Sequence, residues 1–362
     1  MTEMTLNIGP HHPSTHGVLR LITKLDGEKI LDCEPEIGYL HRGMEKLAET
    51  RTYLQYLPLV DRIDYLSGFF NSFAYCDAIE NLGNITVPDR AKYIRILMLE
   101  LNRISSHLLW LGTYLLDLGA VSPYFYAFRE RELILNFFEK LTGQRLMYNY
   151  FKFGGVRKDI DFIKDIQEIT KVLPKKLNDY EKIITKNPIF KTRTQNIGIL
   201  EKETALDYSI TGPNLRSTGI KLDLRKQSNY YNNLEFDIVT TEFSDCYNRY
   251  LIRIDEMRQS LQIITQCLDW LLTDTSTEIF TKINETNLTL PKGEYISSVE
   301  APRGITLCCL VSDESNQPYR VKWRTGSFYA VQLLPLLLKN VNLPDIMAIY
   351  GSLDVILPEV DR

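Results

Sequence analysis

Four of the five histidines, His11, His12, His16 and His41, fall within the first 41 residues, while His107 sits inside a long apolar stretch. His12 and His16 are spaced like a pair of metal ligands. Pro13 rules out a regular helix between them, however, and no third ligand lies nearby in sequence, which argues against zinc. The plainer reading makes them loop histidines that bond the backbone, and His107 a core residue satisfied by its neighbours. Asp117 is embedded in the apolar run LLWLGTYLLDLGAV, near the expected C-terminal end of a long helix, where the macrodipole disfavours negative charge. Burial acts in the same direction, so its pKa should rise unless a cation compensates. A histidine of the GPHHPSTH loop or one of Arg129 and Arg131 in FRERE could be that cation, and spacing does not choose between them. The six cysteines, Cys33, Cys76, Cys246, Cys267, Cys308 and Cys309, form no CxxC pair. They supply neither a zinc ribbon nor a four-cysteine cluster, and they fit a reducing compartment.

These residues must be held by recognisable elements. The segment Gly17 to Leu25 alternates apolar and polar residues, turns at Asp26-Gly27 and resumes over Lys29 to Glu34, which predicts a β-hairpin fed directly by the loop Gly9 to His16. After Pro88, apolar residues recur at Ile94, Leu97, Leu101, Ile104, Leu108, Leu111 and Leu115, the seam of a long amphipathic helix. A second helix is expected over 127–142, closed by Gly143, and a weaker one over 161–186, interrupted near Pro174. Another seam runs through Tyr247, Tyr250, Ile254, Met257, Leu261, Ile264, Leu268 and Leu271, so two long helices should pack side by side in a bundle. Three strands follow, Glu294 to Glu300, Ile305 to Ser312 and Tyr319 to Arg324, with a last helix over Val331 to Lys339.

The 362 residues can bury a sizeable core, and 44% hydrophobic with 24% charged residues is ordinary for a globular chain. A net charge of -4 gives no reason to expect a nucleic-acid partner. The N-terminus MTEMTLNIGPHH lacks the basic and apolar blocks of a signal peptide. Glu100, Arg103, His107 and Asp117 interrupt the most apolar region, Ile94 to Phe128, so no membrane span is expected and membrane association must come through partners.

The strings GPHHPSTHGVLRL, EPEIGYLHRGMEK, RTYLQYLPLVDRIDYLSG, LLDLGAVSPYFYAFRERE, QRLMYNYFKFGGV and SLDVILPEVDR, read from one end of the chain to the other, resemble the quinone-site subunit of complex I type NADH dehydrogenases, the 49 kDa type. That family is related to the large subunit of nickel–iron hydrogenases. The resemblance implies an α+β, predominantly helical fold of that hydrogenase-like kind, with a central helical bundle flanked by small N- and C-terminal antiparallel β regions. The expected division is 1–60 for the N-terminal β region with its quinone loop, 61–288 for the bundle and 289–362 for a C-terminal α/β region. The hydrogenases hold their metals with RxCxxC and DPCxxC motifs. Here Arg62 to Ser67 and Asp354 to Glu359 align with them, and the four cysteine positions have become Asp64, Ser67, Ile356 and Glu359. Without thiolates no metal is expected, hydrogen activation is excluded, and the emptied cavity becomes free for another substrate.

By the same resemblance that substrate is a quinone (ubiquinone, menaquinone or plastoquinone), and His16 and Tyr65 match the pair that bonds its two oxygens. An imidazolium and a neutral phenol suit a reduction that needs a proton at each carbonyl. Asp117 would then stand behind His16 as its acid. His12, Asp64, Ser67, Ile356 and Glu359 would line the quinone pocket. Arg42 matches an arginine lying against an iron–sulfur cluster bound by a partner subunit; taken without the resemblance, it reads as the partner of Glu45 or Glu49. Many relatives carry a histidine in the QRxxHxxY region, whereas this chain has Met147 followed by Tyr148, which puts a pH-dependent cluster potential in doubt. The implied protein is a core peripheral-arm component of a proton-pumping NAD(P)H or ferredoxin:quinone oxidoreductase, inactive alone. Its expected partners are the iron–sulfur subunit and other peripheral- and membrane-arm subunits. It would be peripheral to a membrane on the cytoplasmic, stromal or matrix side. The competing reading is a non-catalytic scaffold or assembly protein with a hydrogenase-like fold.

Overall fold

The structure is a computed structural model that describes residues 3–10 and 17–362. Strands β1 (Met4–Ile8), β2 (Arg20–Asp26) and β3 (Lys29–Glu36) form an antiparallel sheet in that order. The expected hairpin is β2–β3, with Asp26 opposite Lys29 and Gly27 at φ 62 in the turn. Strand β1 was not legible in the sequence. Leu21, Leu25, Ile30 and Cys33 are buried on one face, and Ile30 bonds Asn340 and Val341, so the N-terminal sheet closes on the far end of the chain.

Helices α1 (Met44–Ala48) and α2 (Tyr53–Val60) lead to α3 (Gly68–Leu82). Thr52 and Gln55 close a reciprocal capping box at the start of α2. Helix α4 (Asp89–Asp117) is the long helix expected after Pro88, but it is more than amphipathic, because every residue from Ile94 to Leu115 is buried. Its polar side chains survive burial by pairing inside the protein, as described below. Helix α5 (Val121–Thr142) ends at Gly143 with φ 78, as expected, yet begins six residues earlier than the pattern suggested. Pro123 falls in its first turn, where a missing N–H costs nothing.

A two-stranded ribbon, β4 (Phe151–Lys152) and β5 (Gly155–Val156), precedes α6 (Ile163–Tyr180). Contrary to expectation, α6 runs through Pro174 without a break and continues as a π-helical turn over Glu181–Thr185. The buried row Ile166, Ile169, Leu173, Leu177 and Tyr180 supplies the packing that outweighs one lost backbone bond. Short helices α7 (Pro188–Thr194), α8 (Lys202–Asp207) and α9 (Gly212–Arg216) lead to α10 (Cys246–Thr273), which packs along α4.

The three C-terminal strands, β6 (Gly293–Ala301), β7 (Gly304–Ser312) and β8 (Arg320–Arg324), pair antiparallel as read from the sequence. The single helix expected over Val331 to Lys339 does not form. The chain makes α11 (Gly326–Val331) and then α12 (Leu334–Leu337), because Pro335 cannot donate into a continuing helix and instead opens a new one. Helices α13 (Ile346–Leu353) and α14 (Leu357–Asp361) complete the chain. Val299, Cys308, Leu310, Val321 and Trp323 of the second sheet share one core with the long helices. Leu21, Leu25 and Ile30 share another with α11 to α14. The fold is thus α+β and mainly helical.

Candidate functional site

The loop between α2 and α3 carries Asp61 to Ser67. Asp64 Oδ1 accepts the backbone N–H groups of Leu66 at 3.1 Å and Ser67 at 3.3 Å, which fixes the turn and aims Oδ2 inward. There it meets Arg303, in the tight connection between β6 and β7. The chain at Arg303 is clamped by glycines: a Cβ on Gly212 would lie 2.5 Å from Gly304 Cα, and one on Gly326 would lie 2.3 Å from the Arg303 carbonyl. From the other side come Asp354, at φ 56 in the left-handed exit of α13, and Glu359 of α14.

Arg303 is the hub of this cluster. Its Nε lies 3.1 Å from Asp64 Oδ2 and 3.6 Å from Glu359 Oε2. Nη2 also donates to Asp64, and to Ser67 Oγ at 3.1 Å; Nη1 donates to Ser106 Oγ at 2.9 Å and lies 3.5 Å from Asp354 Oδ2. Ser327 Oγ donates to Glu359 and accepts the Ile356 N–H at 3.2 Å. The four positions aligned with hydrogenase cysteines therefore converge, but the space among them is not an open cavity. It holds a guanidinium, because three carboxylates this deeply buried require a cation. Burial alone would lower the Arg303 pKa, yet Asp64, Asp354 and Glu359 hold it above the usual arginine value. Burial, reinforced by Asp64, pushes the Glu359 carboxyl up to about 7 against the pull of Arg303 and Ser327. Asp354 is raised by burial too, with Arg303 and Arg253 opposing.

Tyr65 sits at the edge of this hub. With Phe128 it packs on the small apolar cluster Leu66, Leu109 and Ile356, so Ile356 gives the site an apolar wall while Asp64 and Glu359 give it charge. Burial and then Asp64 raise the Tyr65 phenol, whereas Arg303 and Arg131 pull it down. Asp117 ends α4 as expected. The arginine alternatives proposed for it go elsewhere: Arg129 pairs with Glu130 at 2.6 Å, and Arg131 lies over the Phe128 ring at 5.9 Å. The readings of His12 and His16 lie outside the described residues. Arg42 is exposed and donates to the Arg62 carbonyl at 2.8 Å. Glu45 and Glu49 pair instead with Arg320, at 3.3 and 2.8 Å. Met147 adopts φ 56, and beside it Tyr148 is buried and stacked on Phe69 at 4.2 Å. The next residue, Asn149, donates its N–H to Asp61, a carboxyl that burial pushes up to about 6.

A second buried network runs beside α4. Glu100 bonds Arg103, Arg225, Ser260 and Tyr231, while Arg216 joins Glu256 and Glu300. His107 meets Glu256 at 3.3 Å through Nε2, but its buried Nδ1 has no partner among the described residues, so the expectation of a satisfied core histidine holds for half the ring. Burial lowers its pKa despite Glu256. Sequence reading missed Arg303 and its supports Ser106, Ser327 and Arg253. The available signal was the string APRG between two predicted strands, an arginine and a glycine at a tight turn. Among the described residues no group of three or more His, Cys, Asp or Glu side chains is arranged to hold a metal, and no helix is long and apolar enough to cross a membrane.

A mainly helical α+β chain whose two ends meet at a buried arginine–carboxylate hub, with a phenol on its rim, has the makings of a redox-complex component without metal of its own. The family model of the respiratory-chain NADH dehydrogenase 49 kDa subunit matches residues 117–362, and the chain belongs to that family, as its motifs implied. It is 48% identical over 363 residues to the D-type subunit of the NADH-quinone oxidoreductase of Geobacillus kaustophilus, covering 99% of this chain and 98% of that protein. It is 46% identical to the H-type subunit of the chloroplastic NAD(P)H-quinone oxidoreductase of Eucalyptus globulus and 44% identical to an H-type subunit of the NAD(P)H-quinone oxidoreductase of Gloeobacter violaceus, with the same coverage of each chain.

Proposed function

We propose that this chain is the core subunit of a quinone-reducing NADH dehydrogenase complex that forms the quinone site together with an adjacent iron–sulfur subunit. The observation that carries the reading is the position of Tyr65, a half-buried phenol between an apolar wall of Phe128 and Ile356 and the charged hub of Asp64, Arg303, Asp354 and Glu359. A quinone head needs that combination: a flat apolar surface for its ring and a hydrogen-bond donor for a carbonyl oxygen. Tyr65 would serve one oxygen and His16 the other, with Asp117 holding His16 charged and His12 completing the pocket. Asp64, Ser67 and Glu359 act beneath the quinone through Arg303, and Ile356 touches it directly.

The hub also supports descent from a hydrogenase-like ancestor. A guanidinium now supplies, among residues aligned with the metal-binding motifs, the positive charge that metal ions would have supplied. Electrons would arrive from the partner's iron–sulfur cluster, against the exposed face of Arg42 and Arg62. With no membrane-crossing helix among the described residues, the chain would ride on the membrane through other subunits, on the cytoplasmic side in a bacterium or the stromal or matrix side in an organelle.

Replacing Tyr65 by Phe tests the reading. Quinone reduction by the assembled complex should fall by roughly 10²- to 10⁴-fold, the range of a lost general acid, while the cluster signals persist. Unchanged turnover would remove Tyr65 from the reaction and favour the scaffold alternative.

A further inference from the structure

Arg131 of α5 is 7% exposed and makes no ion pair or hydrogen bond among the described residues; its Nε is buried without a partner there. The acids on either side of it in sequence are taken: Glu130 accepts from Arg129 and Tyr180, and Glu132 binds Arg145. The other buried arginines are all bonded. Arg95, Arg103, Arg216, Arg225 and Arg303 donate to carboxylates, and Arg249 and Arg253 donate to backbone or side-chain oxygens. Arg131 instead lies over Phe128, and Phe128 and Tyr65 pack on the same apolar cluster. A buried, uncompensated guanidinium is costly to folding, and no carboxylate among the described residues offsets it.

We propose that Arg131 is the positioning residue for Tyr65, its guanidinium stabilising the phenolate that forms when Tyr65 gives its proton to a reduced quinone oxygen. The inference rests on the reading of Tyr65 as a donor. Two electrons from the partner's iron–sulfur cluster enter the quinone, the Tyr65 O–H bond breaks and a quinone O–H bond forms. The second proton comes from the group at the other oxygen, and the phenolate regains its proton from water. The charged groups facing Tyr65 are Asp64, Arg303 and Arg131. Arg303 is already balanced by three carboxylates, which leaves Arg131 as the cation able to answer a new negative charge. Around Arg131 itself stand Tyr148, Glu132, Arg145 and Tyr65.

The test uses the assembled complex in native membranes, with NADH as donor and decylubiquinone as acceptor, and turnover normalised to the cluster signal. Arg131→Gln should lower kcat by roughly tenfold to a hundredfold with little change in KM, and should enlarge the solvent deuterium isotope effect. Arg131→Lys should restore most of the loss. In a Tyr65→Phe background, Arg131→Gln should have no further effect. Full activity of Arg131→Gln, an equal loss in the Tyr65→Phe background, or no rescue by lysine would overturn the proposal. So would failure of both the glutamine and the lysine variants to assemble, which would assign the cation to a subunit interface. Full activity of Tyr65→Phe alone would instead sink the underlying reading.

Discussion

Arg303 and Arg131 are both buried guanidiniums within reach of Tyr65, and their surroundings differ in kind. Arg303 is surrounded by Asp64, Asp354 and Glu359 and by two serine hydroxyls, drawn from loops and helices far apart in the chain. Arg131 faces aromatic rings. The first is locked, since its charge is spent on holding the N-terminal loop, the β6–β7 turn and the C-terminal helices together. The second is unspent, and a cation left uncompensated beside a phenol is better suited to an event than to a scaffold.

That contrast predicts opposite responses to the same substitution. Arg303→Met should strand three buried carboxylates and destabilise the chain by about 3–5 kcal/mol, read as loss of assembled complex and faster proteolysis of this chain in membranes. Survival of a stable complex would mean that the hub is not locked. Glu359 gives an intermediate effect with a pH signature. Its carboxyl is raised to about 7 from an unfolded value near 4.5, so the folded state binds the extra proton and stability falls as pH rises between those values. Proteolytic resistance should decline by the equivalent of about 1–3 kcal/mol from pH 4.5 to 7, and Glu359→Gln should flatten that decline. Arg131→Met should leave stability unchanged or raise it by about 1 kcal/mol, because it replaces an unpaired buried cation with an apolar side chain of similar length. A large loss there would erase the contrast. Arg320, exposed and paired with Glu45 and Glu49, marks the lower end: Arg320→Ala should leave proteolytic resistance unmoved, since exposed pairs are screened by water and salt.

Arg62-Ile63-Asp64-Tyr65 and the terminal LDVILPEVDR were both visible as motifs, and the structure brings them to one place. What their types did not reveal is the residue between them. Asp64 and Arg303 are 239 positions apart, and no local pattern marks an arginine in a β-turn as the partner of three distant acids. The long helix shows the same division. Its period of three and four was legible, but its burial on every side depends on Glu100 and Arg103 finding partners from α10 and the loop before it.

The sequence by itself determined the local elements: the hairpin through Asp26-Gly27, the seams of α4 and α10, the stop at Gly143 and the three C-terminal strands. Backbone torsions and hydrophobic period act over a few residues, so these signals survive without context. It also carried enough motif to assign the family. Only the tertiary structure decided that α6 passes through Pro174, that the last expected helix breaks at Pro335, and that Arg303 fills the site while Arg131 finds no carboxylate among the described residues. Each depends on which distant side chain occupies the neighbouring volume, and the balance of desolvation against pairing is set there rather than along the chain.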